Sequence, residues 1–551
     1  MGAPFFGWTE PNTHPALRAP LSRGDLLKGV WAPLSRGVPA RAGCVGLYAE
    51  SASKLGLNRE AREGGAPFPP AAPPMPVPSP APVFRAGSLL YSSAGLRAVF
   101  AWLLGAEVVF TLIDIIEPRM LPVLLKGHGA TDTQIAIIIG SFNAVLQLII
   151  MPPLGYCSDR LRTRWGRRIP VLFWVTPFVT LFLALTPFAP EISAWLLTFP
   201  GIGAWMKSLS VAPVILVFGA LVFLYRVVQT MVNTTFFGLL RDVIPDTHMG
   251  RFLALFRVFG AAGTAVVTYW LLGLTNTHSK PIFLGIALLN LACFSLLCWF
   301  VREGTYPPVE PNPAGEGAGR AARFRAATKT FVRESYRHPV YLWIYFVRIC
   351  LYGALLGLSG FTIFFPQYEL GMSLDAVGKM LTWPLLIWIV IAYPVGRLVD
   401  SRGAARVTRW GLVLITAGYA GTFFLVIGPK TFLVSSLVTG VAYWIVMMAQ
   451  LKLTQEVFHP QRYSQLAGAN TIVQSIAIAV IFSYGCGKLL DALKGWSHTM
   501  VIPGVGDVVL GPYRVVNLMM AVTYGLAWFG LVQLRRAMRK HTGPEGYVAP
   551  L

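Results

Sequence analysis

Glu107, Thr111, Asp114 and Glu117 follow one another at spacings of four, three and three inside an apolar run, which puts them on one face if the run is a helix. Carboxylates so placed can bind a proton or a sodium ion, or pair with a cationic side chain. A second apolar run carries Arg226, Gln229, Thr230 and Asn233 on one stripe. A third carries Arg348, Tyr352, Ser359 and Thr362, and a fourth Tyr443, Trp444 and Gln450, with Lys452 beyond them. A charge at bilayer depth costs at least ~2.5 kcal/mol and marks a path for ions or solutes. With the first and third runs directed outward and the second inward, Glu107, Arg226 and Arg348 each stand about nine or ten residues, ~14 Å, from the cytoplasmic end. The three are expected to meet as a coupled charge cluster. In the competing arrangement both arginines reach for the cytoplasmic interface and Glu107 satisfies one of them. Trp383, Trp388 and Tyr393 read as part of an interfacial aromatic belt.

Such stripes need elements that cross lipid, about 20 helical residues each. Twelve apolar runs qualify, near 98–124, 134–156, 169–188, 212–236, 251–274, 281–301, 339–366, 377–398, 407–428, 431–451, 468–489 and 512–534. With 55% of the 551 residues hydrophobic and 13% charged, lipid is the solvent for most of the chain. The sequence therefore predicts an all-α membrane protein of twelve transmembrane helices. Residues 191–209, broken by Pro200 and Gly203, are too short to span and read as an extracytoplasmic loop with a helix on the membrane surface.

Lysine and arginine sort the loops. Arg160, Arg162, Arg164, Arg167 and Arg168 follow the second run, Arg402, Arg406 and Arg409 the eighth, and Arg535, Arg536, Arg539 and Lys540 the twelfth. These loops and both termini are placed in the cytoplasm, at a cell inner membrane. The halves echo each other: Asp159 follows Asp132 by 27 residues and Asp400 follows Asp375 by 25, while Asp242 and Glu456 each follow the fourth run of a half. Two six-helix pseudo-repeats result, 96–301 and 339–536, joined by a basic linker over 302–338 and followed by a cytoplasmic tail over 537–551. Residues 1–95 are Pro-rich without a long apolar stretch, and are expected to be disordered and dispensable, with Met75 a candidate start.

The formal charge of +22 sits in short loops rather than on one face, so topology and not nucleic acid accounts for it. The six cysteines form no CxxC pair and no histidine stands four residues from another, so neither a disulfide framework nor a metal or other cofactor site is expected. Gly-x-x-x-x-Gly-Lys-Ser/Thr, His-Glu-x-x-His and Gly-x-Ser-x-Gly are absent, which argues against ATP-driven work and against an enzyme.

The strongest local signal is Gly155-Tyr-Cys-Ser-Asp159-Arg160-Leu-Arg-Thr-Arg164-Trp-Gly166-Arg167-Arg168-Ile-Pro170. A degenerate copy, Gly396, Asp400, Arg402, Gly403 and Arg406, stands at the matching place in the second half. Glycine lets helices approach closely, and the aspartate can accept charge-assisted bonds from arginines or helix amides. Orientation alone requires neither that spacing nor a second copy. The segment resembles the loop signature of the major facilitator superfamily, Gly-x-x-x-Asp-Arg followed by Gly-Arg-Arg, stretched here between Arg160 and Gly166, and the resemblance covers residues 96–540. The long form, with Asp242-Val-Ile-Pro before Arg251, is similar to the glycoside-pentoside-hexuronide and sucrose-transporter-like branch.

This resemblance implies that the first, fourth, seventh and tenth helices line a central cavity and that the halves rock to alternate access. It implies a sugar or glycoside as solute, carried with a proton or sodium ion by a monomer in the bilayer. Glu107, Asp114, Arg226, Asn233, Arg348 and Tyr352 would form the substrate and ion-coupling site. Gly155, Asp159, Arg160, Gly166, Arg167, Arg168, Gly396, Asp400 and Arg402 would form the conformational loops. The alternatives are an exporter of drugs or amphiphiles on the same fold and a transporter-like sensor, which would more often carry a folded output domain.

Overall fold

In lipid a backbone N–H or C=O finds no water, so a chain this apolar satisfies its main chain within helices. The computed structural model describes residues 84–306, 329–459, 462–502, 506–543 and 546–550. Among the described residues, ten helical segments are long and apolar enough to cross a membrane. In chain order the helices are α1 (Ser93–Gly127), α2 (Asp132–Met151), α3 (Ile169–Leu196), α4 (Pro213–Val243), α5 (Asp246–Val266) and α6 (Thr275–Phe300). They continue with α7 (Pro339–Glu369), α8 (Leu374–Arg402), α9 (Ala404–Leu425), α10 (Pro429–Val457), α11 (Gln465–Ala492) and α12 (Pro512–Arg539). The α5 and α6 helices share one apolar stretch of 54 residues, divided by a 3-10 turn at Leu272–Leu274 and by the non-helical backbone of His278. Most helices outrun the apolar runs that announce them. The first starts at Ser93 and the fourth continues to Val243.

Among the described residues five π-helical stretches interrupt the regular turns: Ile137–Ser141, Val267–Leu271, Gly353–Leu358, Phe365–Glu369 and Ile478–Tyr484. Wider turns of this kind shift the register of the side chains beyond them. All but Phe365–Glu369 gather where the halves meet. Ser141 donates to the Ala479 carbonyl at 2.7 Å, from one π stretch to another. Gly140 lies against Ser483, and Gly353 and Gly357 against Phe482, so closely that a Cβ at any of the three would overlap its neighbour.

The end of the bundle away from the arginine-rich loops, the distal end, is sealed by polar contacts between the halves. Asp491 of α11 accepts from the backbone N–H groups of Asp132 at 2.9 Å and Thr133 at 2.8 Å, and from the Thr133 hydroxyl at 2.5 Å. A carboxylate thereby sits on the positive end of the α2 dipole. Lys126 pairs with Asp132 at 2.6 Å, and the Tyr513 hydroxyl donates to the same carboxylate at 3.1 Å. On the opposite seam Gly273 faces Asp375, and a Cβ on Gly378 would stand 2.2 Å from the Thr268 carbonyl oxygen.

The architecture is all-helical, as the sequence predicts, with short hairpins at its margins. Among the described residues three two-stranded antiparallel hairpins flank the helices: Phe84–Ala86 with Leu89–Tyr91, His498–Ile502 with Gly506–Leu510, and Thr542–Gly543 with Gly546–Tyr547. The first begins at Phe84, inside the stretch expected to be disordered, and residues 1–83 lie outside the described residues. The segment 191–209 forms two short helices, Ala189–Leu196 and Pro200–Ser208. In the linker, residues 329–336 are helical and 307–328 lie outside the described residues. The tail packs back on the bundle, where the Tyr547 hydroxyl donates to the Val457 carbonyl at 3.2 Å.

Candidate functional site

A cavity of about 230 Å³ lies between the halves. The expected helices α1, α4, α7 and α10 line it, and α2, α8, α9 and α12 complete the wall. Its charged residues are Asp114 and Arg119 from α1 and Arg226 from α4. Arg226 pairs with Glu117 and stands 3.9 Å from Asp114. Glu117 is buried behind the wall and Asp114 is partly open to the cavity. Both carboxylates come from one face of α1 and stand at one guanidinium. Gln229, Thr230 and Asn233 continue the lining along α4.

The expected cluster of Glu107, Arg226 and Arg348 does not assemble. Glu107 turns toward α5: it accepts from Thr111 at 3.4 Å, packs against Gly260, and has Arg257 as the cation acting on it. Arg348 donates to Gln450 at 3.2 Å and Thr454 at 3.0 Å, and lies 5.1 Å over the Tyr352 ring. Of the six expected site residues, Asp114, Arg226 and Asn233 line the cavity, whereas Glu107, Arg348 and Tyr352 do not. The physical reason is the true position of the helix ends. Glu107 stands fourteen residues past Ser93, Arg226 seventeen before Val243, and Arg348 nine past Pro339, so the three are not level. Arg226 instead meets the next acids along the same face of α1.

Sequence reasoning missed Arg119. It follows Pro118 in the last turn of Ser93–Arg119, the first α-helical segment of α1, and faces the cavity, and the titratable groups acting on it are the phenols of Tyr419 and Tyr443. A basic residue within an apolar run was the available signal. Asn517 and Tyr524 of α12 and Tyr419 of α9 also line the wall from helices outside the four expected.

At the arginine-rich end, Glu303 accepts from three successive backbone N–H groups, Arg167 at 2.9 Å, Arg168 at 2.7 Å and Ile169 at 2.6 Å, and so caps α3. Gly166 permits this: its φ is +107° and a Cβ would overlap Glu303. Arg167 holds Asp242 at the end of α4 through two bonds, of 2.9 and 2.6 Å, while Arg168 reaches the same carboxylate at 3.5 Å. The Tyr306 hydroxyl donates to Glu303 at 2.9 Å, and burial beside Asp242 and Glu303 pushes that phenol well above its ordinary range. These contacts tie α3, α4 and the end of α6 together within one half. Gly155, Asp159 and Arg160 fall on the helix Phe142–Arg160, and their side chains lie outside the described residues. In the second copy Asp400 pairs with Lys452 at 2.6 Å on the surface, Gly396 lies near Met448, and Gly403 follows Arg402 to end α8 with φ +83°.

Paired helical halves around a central polar cavity, with an arginine-bearing loop in each, define a membrane carrier. The Major Facilitator Superfamily profile matches residues 103–482, and the chain belongs to that superfamily. It is a multi-pass membrane transporter acting on a small-molecule solute, not an enzyme. A bacterial homolog to the human lysosomal transporter Spinster, in an inward-facing and occupied conformation, superposes with a TM-score of 0.57 at 12% identity, covering 83% of this chain and 98% of that one. The nucleoside transporter NupG superposes with a TM-score of 0.53 at 13% identity, covering 80% and 99%. At these identities the likeness concerns the fold. No curated protein sequence matches the chain.

Proposed function

We propose that this transporter is a symporter that carries a small, hydroxyl-rich solute of the sugar or glycoside kind together with a proton or sodium ion, by alternating access. It would act as a monomer of twelve crossings in a cell inner membrane, with both termini cytoplasmic. The 54-residue stretch over α5 and α6 is too long for one crossing, which supports counting it as two. The observation that carries the proposal is the pair of carboxylates, Asp114 and Glu117, on the single guanidinium of Arg226. A cation bound at Asp114 neutralises that carboxylate beside the Glu117–Arg226 pair. An ion drives a conformational change only through its differential affinity for the two states, and a carboxylate taken out of water when the cavity closes over it supplies that difference.

Ser435, Ser436 and Thr439 of α10 offer hydroxyls to a polar solute, and Trp444 offers a ring face. Its indole is held by stacking on Trp388, with centroids 5.3 Å apart. The test is Asp114→Asn, assayed for uphill uptake and for exchange at equal concentrations on both sides. Loss of uphill uptake with exchange retained is expected. Accumulation like the parent would refute coupling at this site. Glu107→Gln, which changes a group outside the cavity wall, should accumulate solute normally.

A further inference from the structure

The geometry points to a solute that carries an anionic group, a carboxylate or a phosphate, with Arg119 as its anchor. This deepens the symport proposal by naming the chemistry of the cargo at the same cavity. Among the described residues the Arg119 guanidinium makes no ion pair and no hydrogen bond, and the titratable groups acting on it are two neutral phenols. The other central arginines differ: Arg226 has two carboxylates, and Arg348 has the amide of Gln450 and the hydroxyl of Thr454. An arginine in the last turn of a helix often satisfies the terminal carbonyls. Arg119 makes no such bond and faces the cavity instead.

A second observation is independent of that arginine. Gln229 and Asn517 are buried, they line the same cavity from opposite halves, and the amide nitrogens Nε2 and Nδ2 have no acceptor. One guanidinium and two unanswered N–H donors, against one unanswered acceptor at Asn233 Oδ1, leave the wall richer in free donors than in free acceptors, which is the complement of an oxyanion. Charge bookkeeping links the anion to the cation. An anionic solute adds negative charge beside Asp114, and a cation at Asp114 offsets it. The two ligands therefore favour each other's binding, reciprocally.

The experiment is thermal unfolding of the purified full-length protein, without any gradient, against matched triplets: glucose, glucuronate and glucose 6-phosphate; glycerol, glycerate and glycerol 3-phosphate; and the same series built on pentoses and methyl glycosides. Stabilisation is expected from a charged member over its neutral parent, with the carboxylate and phosphate arms deciding which anion is preferred. Arg119→Gln should weaken binding of that anion on the order of tenfold to a hundredfold, and Arg119→Lys less. Asn517→Asp, which sets a carboxylate opposite, should weaken the anion more than the neutral parent, and it serves if Arg119→Gln fails to fold. Neutral members stabilising as well as charged ones, no charged member stabilising, or the anion binding Arg119→Gln like the parent would each overturn the proposal. Asp114→Asn separates it from coupling: that variant should keep the preference for the anion even if coupling proves to lie elsewhere.

Discussion

The N-terminal half brings every charge of the cavity, Asp114, Arg119 and Arg226 with Glu117 behind them, whereas the described lining of the C-terminal half is uncharged: hydroxyls of Ser435, Ser436 and Thr439, phenols of Tyr419 and Tyr443, the indole of Trp444 and the amide of Asn517. The proposed cation site is complete within α1 and α4, so opening the halves does not take it apart. A solute that reaches from Arg119 to the α10 and α12 side chains does depend on both halves. Ion binding and solute binding thus report different things, the first the state of one half and the second the closeness of the two.

The largest effect that can test this division is expected from Arg226→Gln. It takes the paired cation from buried Glu117, which should destabilise the fold by about 3–5 kcal/mol and abolish uptake and exchange together. A melting temperature in detergent equal to the parent's would show that the acids are not held by Arg226. Next in size come Tyr443→Phe and Asn517→Leu on the other wall. Each removes one hydrogen-bonding group, worth about 0.5–1.5 kcal/mol, so the half-saturating solute concentration should rise a few-fold to about tenfold with the accumulation ratio unchanged. A fall in that ratio would place coupling in both halves.

The smallest effect separates the two loop copies. Asp400 is exposed and pairs only with Lys452 among the described residues, and exposed pairs contribute about 0–1 kcal/mol, so Asp400→Asn should leave initial uptake within about twofold of the parent. Asp242, buried under Arg167 and Arg168, should slow uptake several-fold when changed to Asn, at equal surface expression. Equal rates for the two variants would mean that both loops do the same work.

Charges in apolar runs stand out in a sequence, which is why the stripes on α1 and α4 and the arginines after α2 were legible. Their heights along the bundle were not. An apolar run stops at the first arginine or aspartate, but a helix does not: α4 passes Arg241 and Asp242 before ending at Val243, and the helix Phe142–Arg160 runs beyond the apolar span of α2. That error of a few turns moved the expected partner of Arg226 from Asp114 and Glu117 to Glu107. The caps were illegible for another reason. Glu303 reaches the start of α3 from beyond α6, and Asp491 reaches the start of α2 from the far half, and no local pattern announces a carboxylate that serves a distant helix end. Arg119 escaped notice because it follows Pro118 and lies off the run of acids that drew attention to its helix.

Gly140, Gly378 and Gly487 touch the opposite half where the distal rim is shut, with a Cβ on Gly487 falling 2.7 Å from the Asp132 carbonyl. With the rim apart, the same positions would border a gap wide enough for alanine or serine. These three residues are therefore tied to a single phase of the working cycle, not to the integrity of either half. A methyl group there would act as a doorstop: each half would fold and melt as before, the ion would still find Asp114, and the molecule would stall with one side unable to latch. Damage of that kind is invisible to any screen for folding and conspicuous in one for turnover.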